Sequence, residues 1–159
     1  MRDFWRITRI ALVSTIVASG MTVAAADAHG AAIGVSVRGV RIVEIYFDSP
    51  GPDNVSNKSL NGEWVKVKNT TGFHKNITGW TVHDSSSHRY TFPTTILAPH
   101  AIMRVHTGRG SRNAHNRYWG STTYIWNNSG DTARLANANA VVVNRCSYSA
   151  RFDSVRKFC

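Results

Sequence analysis

From Val40 onward the chain repeatedly alternates apolar and polar residues in short runs, then breaks each run with turn formers. Trp64 to Asn69 shows this most plainly. Val65 and Val67 point one way, while Trp64, Lys66 and Lys68 point the other. Val43, Ile45 and Phe47 share a face of Val40 to Phe47, and Ile102, Arg104 and His106 oppose Met103 and Val105 in the same manner. The run Asp48-Ser49-Pro50-Gly51-Pro52-Asp53-Asn54 cannot continue a ladder, because proline lacks a donor and glycine is costly to order. Asn57 to Gly62 reads as part of the same loop. Further strands are expected from Ile77 through Trp80 and Val82, at Arg89 to Phe92, Tyr124 to Trp126, Thr132 to Leu135 and Ala140 to Asn144. Ile96-Leu97, between Pro93 and Pro99, reads as an apolar plug, and Gly108 to Gly120 as a long basic loop. No segment sustains a helical period. About seven or eight short strands, with a turn roughly every eight to twelve residues, predict an all-β sandwich or barrel.

The first 28 residues read as an export signal. Arg2, Arg6 and Arg9 precede the apolar run Ile10 to Ala18, and Ala24-Ala25-Ala26 and Ala26-Asp27-Ala28 offer small-x-small sites for cleavage after Ala26 or Ala28. The apolar run is short for a permanent span, and no adjacent arginine pair precedes it, which favours the general secretory route. The expectation is a secreted monomer with no membrane span after cleavage. Its parts are a flexible leader at 29–37, a domain at 38–148 and a tail at 149–159. The whole chain nets +10, and the form lacking Met1 to Ala26 nets +8, because Arg2, Arg6, Arg9 and Asp3 leave together. Cys146 and Cys159 are the only cysteines. In an oxidising compartment the simplest outcome is one internal disulfide, worth roughly 3 kcal/mol, that ties the tail back. The alternative is a cross-link between chains through Cys159.

Several pieces in fixed order carry a resemblance. They are Val40-Arg41-Ile42-Val43-Glu44-Ile45, then Asn61-Gly62-Glu63-Trp64-Val65 with Asn69 following, then Ile77-Thr78-Gly79-Trp80-Thr81-Val82-His83-Asp84. Tyr90-Thr91-Phe92-Pro93, Leu97-Ala98-Pro99, Val105-His106-Thr107-Gly108, Tyr118-Trp119-Gly120 and Asn127 to Leu135 complete the set. Together, over about Arg38 to Tyr148, they resemble the lamin tail domain, particularly small secreted bacterial members without a coiled-coil rod. The resemblance implies an immunoglobulin-like antiparallel β-sandwich of about seven to nine short strands. It also implies a domain that binds rather than catalyses, with protein or DNA contacts. Trp80, Trp119 and Trp126 are expected mainly as core residues with their indole N–H groups satisfied.

The sharpest functional feature is the basic, aromatic-interleaved stretch from Arg104 to Trp119. Arg104, Arg109, Arg112 and Arg117 supply forks suited to phosphate or carboxylate, and Tyr118 offers a flat contact. Trp64, Lys66 and Lys68 form a second basic face. The bland reading is a solvated basic surface with nonspecific attraction to polyanions. His83, Asp84 and His88 are the only tempting metal cluster, but their spacing matches no strong ligand motif, and incidental histidines at a turn are the simpler reading. No Gly-x-Ser-x-Gly occurs, Glu44 and Glu63 are the only glutamates, and phosphate-loop and dinucleotide fingerprints are absent. Asn54, Asn57, Asn69, Asn76 and Asn127 head Asn-x-Ser/Thr triplets, which arise readily by chance in such a composition. The expected function is a secreted, non-catalytic binding module for an anionic polymer (DNA or a cell-envelope polymer) or a protein partner. It needs no cofactor and no metal. The alternatives are a small metal-dependent hydrolase or nuclease using the His83 cluster, and a structural envelope component.

Overall fold

The computed structural model describes residues 39–159, so the export signal, its cleavage sites and the leader at 29–37 lie outside the described residues. In chain order the elements are β1 (Val40–Tyr46), α1 (Asn57–Leu60), β2 (Trp64–Asn69), β3 (Lys75–Asn76), β4 (Thr81–His83) and β5 (Arg89–Thr91). They continue with β6 (Ile96–Leu97), β7 (Ile102–His106), β8 (Asn116–Tyr118), β9 (Gly130–Ala136), β10 (Val142–Ser149) and β11 (Arg156–Phe158). One sheet runs β11-β1-β2-β7-β8, a second runs β10-β9-β4-β5, and β3 pairs with β6 alone. All pairings are antiparallel except β7 with β8.

Alternation builds the core. Ile42, Ile45, Val65, Val67, Met103 and Val105 from the five-stranded sheet meet Val82, Ala133, Leu135 and Tyr148 from the four-stranded one. Phe47 stacks on Tyr148 with centroids 4.0 Å apart, closing the gap between layers. Trp126 is buried and meets Trp119 edge-on at 6.1 Å. Trp80 and Trp119 pack against the core partly buried. The satisfied indole expected for Trp126 is not found: its Nε1 is buried without a partner. The ring sits among apolar side chains, so burying its area is accompanied by one unmet donor.

Polar anchors fix the loops. Asn69 is fully buried; its Nδ2 donates to the carbonyls of Phe73, Leu97 and Ala98, and its Oδ1 accepts from the amide and hydroxyl of Thr71. That burial removes Asn69 as a glycan acceptor. Cys146 and Cys159 are bridged within the chain, with Cα atoms 5.8 Å apart, which joins β10 of one sheet to the end of β11 in the other.

The strand expectations need several corrections, the first being that a bulge between Ile42 and Glu44 puts Ile42 rather than Val43 on the buried face with Ile45 and Phe47. Eleven strands form, rather than seven to nine. The long basic loop ends in β8, which lies parallel to β7 and was hidden because three polar residues carry no readable alternation. Tyr124 to Trp126 is not a strand, although Ile125 and Trp126 are buried; it is a loop whose apolar residues plug the sandwich. The last long strand runs past Asn144 to Ser149, and the tail adds β11 on the free edge of β1, so the chain beyond Tyr148 completes the sheet. The loop after β1 also winds one short helix, capped where the Ser56 side chain accepts from the Ser59 amide.

Candidate functional site

Outward-facing residues of the five-stranded sheet fall into rows set by register. Tyr46 of β1 lies opposite Trp64 of β2, Trp64 opposite His106 of β7, and His106 opposite Tyr118 of β8. Four rings therefore cross four strands in line. Tyr46 stacks on Trp64 at 5.4 Å between centroids, and His106 on Tyr118 at 5.2 Å. The next row is Glu44, Lys66, Arg104 and Asn116, and beyond it Arg41 pairs with Lys68 and Lys68 with Ile102. Cations and rings lock together: Lys66 Nζ lies 4.6 Å and the Arg104 guanidinium 5.1 Å from the Trp64 ring centroid.

The five cations of this face, Arg41, Lys66, Lys68, Arg104 and Arg156, differ in what they have left to offer. Lys66 Nζ is 2.5 Å from Glu44 Oε2, and Arg156 approaches the other oxygen of Glu44 at 3.8 Å. The charge on Lys66 is therefore matched inside the protein. Among the described residues, no carboxylate lies in ion-pairing reach of Arg41, Lys68 or Arg104. A cleft of about 320 Å³ runs between Lys66, Ile102, Arg104, His115 and Asn116. His106 is held from both ends, its Nδ1 donating to the Asn61 carbonyl at 2.9 Å and its Nε2 lying 3.1 Å from Asn116 Oδ1.

The sequence treats the arginines of the 104–119 stretch as one site; the fold divides them. Arg104 joins Trp64, Lys66 and Lys68 on the outer face. Arg109 sits at the sheet end, its backbone clasped by Asn57 and Asn61. Arg112 and Arg117 line a third place, a cleft of about 340 Å³ with Tyr90, Thr91, Pro93, Gly110 and Tyr118. Arg117 also donates to the carbonyls of its own loop at Asn113 and Asn116, which fixes its guanidinium. The separation follows from β8 running parallel to β7, because the chain must return along the sheet edge before it can pair. The flat contacts expected of Trp64 and Tyr118 are likewise occupied by cross-strand stacking, and a Cβ on Gly110 would fall 2.4 Å from the Tyr118 ring. Tyr46 was missed as a member of this face, although its even spacing from Glu44 in a strand pattern carried the signal.

Beneath the face, Glu63 is fully buried at the entry to β2. Its Oε2 accepts from Thr107 Oγ1 at 2.8 Å and from the Ile125 amide at 3.1 Å, while Oε1 has no partner. Burial pushes its pKa up to about 8, against the lowering effect of those hydrogen bonds. This carboxyl joins three segments rather than facing solvent.

The His83 cluster is spent on structure. Asp84 Oδ1 accepts from the amides of Ser86 and His88, and Oδ2 lies 2.6 Å from His88 Nδ1. His83 instead lies opposite Arg89. Among the described residues, no group of three His, Cys, Asp or Glu side chains is placed to hold a metal ion.

No curated protein matches the chain. The sequence model of one family, described as Lamin Tail Domain, matches residues 35–150. The match begins just ahead of β1 and ends just past β10, taking in every strand of the two facing sheets except β11, together with the asparagine hub and the buried glutamate. This chain belongs to the lamin tail domain family.

Proposed function

We propose that the chain is a secreted, non-catalytic binding module that takes an anionic polymer, DNA or a cell-envelope polymer, on the outer face of its five-stranded sheet. A protein partner presenting acidic side chains would meet the same groups. Membership of a family of immunoglobulin-like, non-enzymatic domains supports a binding or interaction role in general. The leader pattern of Arg2 to Ala28 and the internal disulfide support export to an oxidising compartment. One observation carries the choice of ligand: Arg104 and Lys68 stand on a face stiffened by stacked rings, with no carboxylate partner among the described residues. Lys66 contributes position more than charge, since Glu44 neutralises it.

A salt titration of binding to duplex DNA tests the reading. Affinity should fall steeply as salt rises, and the Lys68→Gln, Arg104→Gln double variant should reduce the slope by about 2. Absence of binding at low salt would remove the nucleic-acid version. An unchanged slope in the double variant would remove this face.

A further inference from the structure

The outer face of the four-stranded sheet is built on a different plan. Register sets Arg145 of β10 opposite Arg134 of β9, Arg134 opposite His83 of β4, and His83 opposite Arg89 of β5. Basic side chains thus form one straight row across the whole sheet, roughly 14 Å long at the usual strand spacing. Arg145 and Arg89 are exposed; Arg134 and His83 are half-buried. Like charges directly opposite one another destabilise a sheet. The common remedy is a carboxylate in the neighbouring row, and this face has none.

Among the described residues no carboxylate lies in ion-pairing reach of Arg89, Arg134 or Arg145. The nearby acids are committed elsewhere. Asp84 serves His88 and two amides, and Asp131 accepts from the amides of Ser85 and Thr132 and from Asn127 Nδ2. Arg134 reaches Asp84 only through its carbonyl oxygen, at 3.1 Å, and Arg89 donates to the Thr81 hydroxyl at 3.4 Å. These bonds position two guanidinium groups without neutralising them. His83 responds to its surroundings: its pKa lies below the ordinary value, through burial first and then through Arg89, with Arg134 adding to the effect. The flanking positions are small and polar, with Thr132 and Ser147 hydroxyls 2.8 Å apart on one side and Thr81 opposite Thr91 on the other. The aromatic rings of these strands, Tyr90 and Tyr148, are buried in the core.

We propose that this row is a phosphate-binding surface, on which an extended phosphate polymer lies across the strands with its oxygens on Arg145, Arg134 and Arg89. A guanidinium fork matches phosphate oxygens bidentately, and ligand charge would relieve the repulsion within the row. With Tyr90 and Tyr148 turned into the core, the row recognises backbone charge and leaves any bases unread. The surface belongs to the other sheet from the face argued above and does not depend on it.

The test uses long-chain inorganic polyphosphate and a single-stranded DNA oligonucleotide as probes, with affinity measured against salt concentration. In the Arg89→Gln, Arg134→Gln, Arg145→Gln variant, affinity should fall about ten-fold or more. Its slope should drop by about 2, at roughly 0.7 per phosphate contact on a single strand. Loss on both probes, or on polyphosphate alone, upholds the row, the second result naming a base-free polymer as its occupant. Unchanged affinity for polyphosphate overturns it. Should the triple variant fold poorly, Arg89→Gln with Arg145→Gln changes exposed side chains alone and should lower the slope by about 1.4. The Lys68→Gln, Arg104→Gln variant separates the two surfaces. If it keeps its affinity while the row variant loses it, the five-stranded reading fails and the row stands; the reverse outcome does the opposite.

Discussion

Both outer faces of this sandwich carry cations, but they hold most of them in different ways. On the five-stranded side, a carboxylate sits opposite Lys66, a tryptophan ring lies against Lys66 and Arg104, and stacked rings brace the strands. On the four-stranded side, arginines face one another and a histidine, with one hydroxyl and one carbonyl as their protein acceptors among the described residues. The first face is stabilised by its own contacts around Glu44 and Trp64, and only Arg41 and Lys68 face each other there without a carboxylate. The second costs stability in isolation, and a surface of that kind gains from a ligand what it lacks internally.

Glu63 gives the largest expected effect, because its buried carboxyl ties the ends of β2 and β7 to the Ile125 loop. Its folded pKa of about 8 lies above the ordinary 4.5, so its favourable contribution is complete below pH 4.5 and is lost as pH rises toward 8. Glu63→Gln keeps an acceptor for Thr107 and Ile125 but cannot ionise. It should therefore be more stable than the parent at pH 8, by a few kcal/mol at most, with a much flatter stability curve between pH 5 and 8. Urea unfolding across that range measures it, and parallel curves for the two proteins would refute the assignment.

Trp64→Ala should come next, costing about 2–3 kcal/mol. It removes the stack with Tyr46 and the surface on which Lys66 and Arg104 rest. Hydrogen exchange should quicken in β2 and β7 and not in β9. Equal loosening of both sheets would mean that the two faces are not independent.

Arg145→Gln should have the opposite sign. Removing one end of the like-charge row should raise stability by about 0.5 kcal/mol at low salt, with the gain fading as salt screens the row. A destabilised variant would show that the row is neutralised after all.

The smallest effect belongs to His83. Its folded pKa is depressed, so the stability it lends is present above the unfolded value of 6.5 and is lost as pH falls through the folded one. His83→Gln should abolish that acid-side decline, as read by thermal melts between pH 4 and 7. The Arg89→Gln variant should also reduce it, since Arg89 is the leading charge acting on the imidazole.

Much of the fold was legible in the chain. The alternation at Trp64–Asn69 and Ile102–His106 gave two strands with their observed bounds, because one buried face forces a period of two. The edge strands β8 and β11 were not legible. They are three residues each and half-exposed, and they are held by pairing partners rather than by a buried pattern of their own. The first candidate site was half legible: Trp64, Lys66 and Lys68 share a strand, so spacing alone places them together. That Arg104 joins them while Arg109, Arg112 and Arg117 go elsewhere depends on the parallel return to β8. Neither sequence proximity nor charge density encodes that return.

By itself the sequence determined most of the inward-facing residues and that the chain is a lamin tail sandwich with excess positive charge. The bulge that turns Ile42 rather than Val43 inward, and the run of β10 on to Ser149, came only from the structure. Tertiary structure alone decided the neighbours across strands. Arg89, Arg134 and Arg145 are scattered through 57 positions of chain, and only antiparallel register brings them into one row with His83. Facing direction follows from local alternation, whereas register is fixed by the packing of whole sheets, so a row that crosses four strands has no local signature.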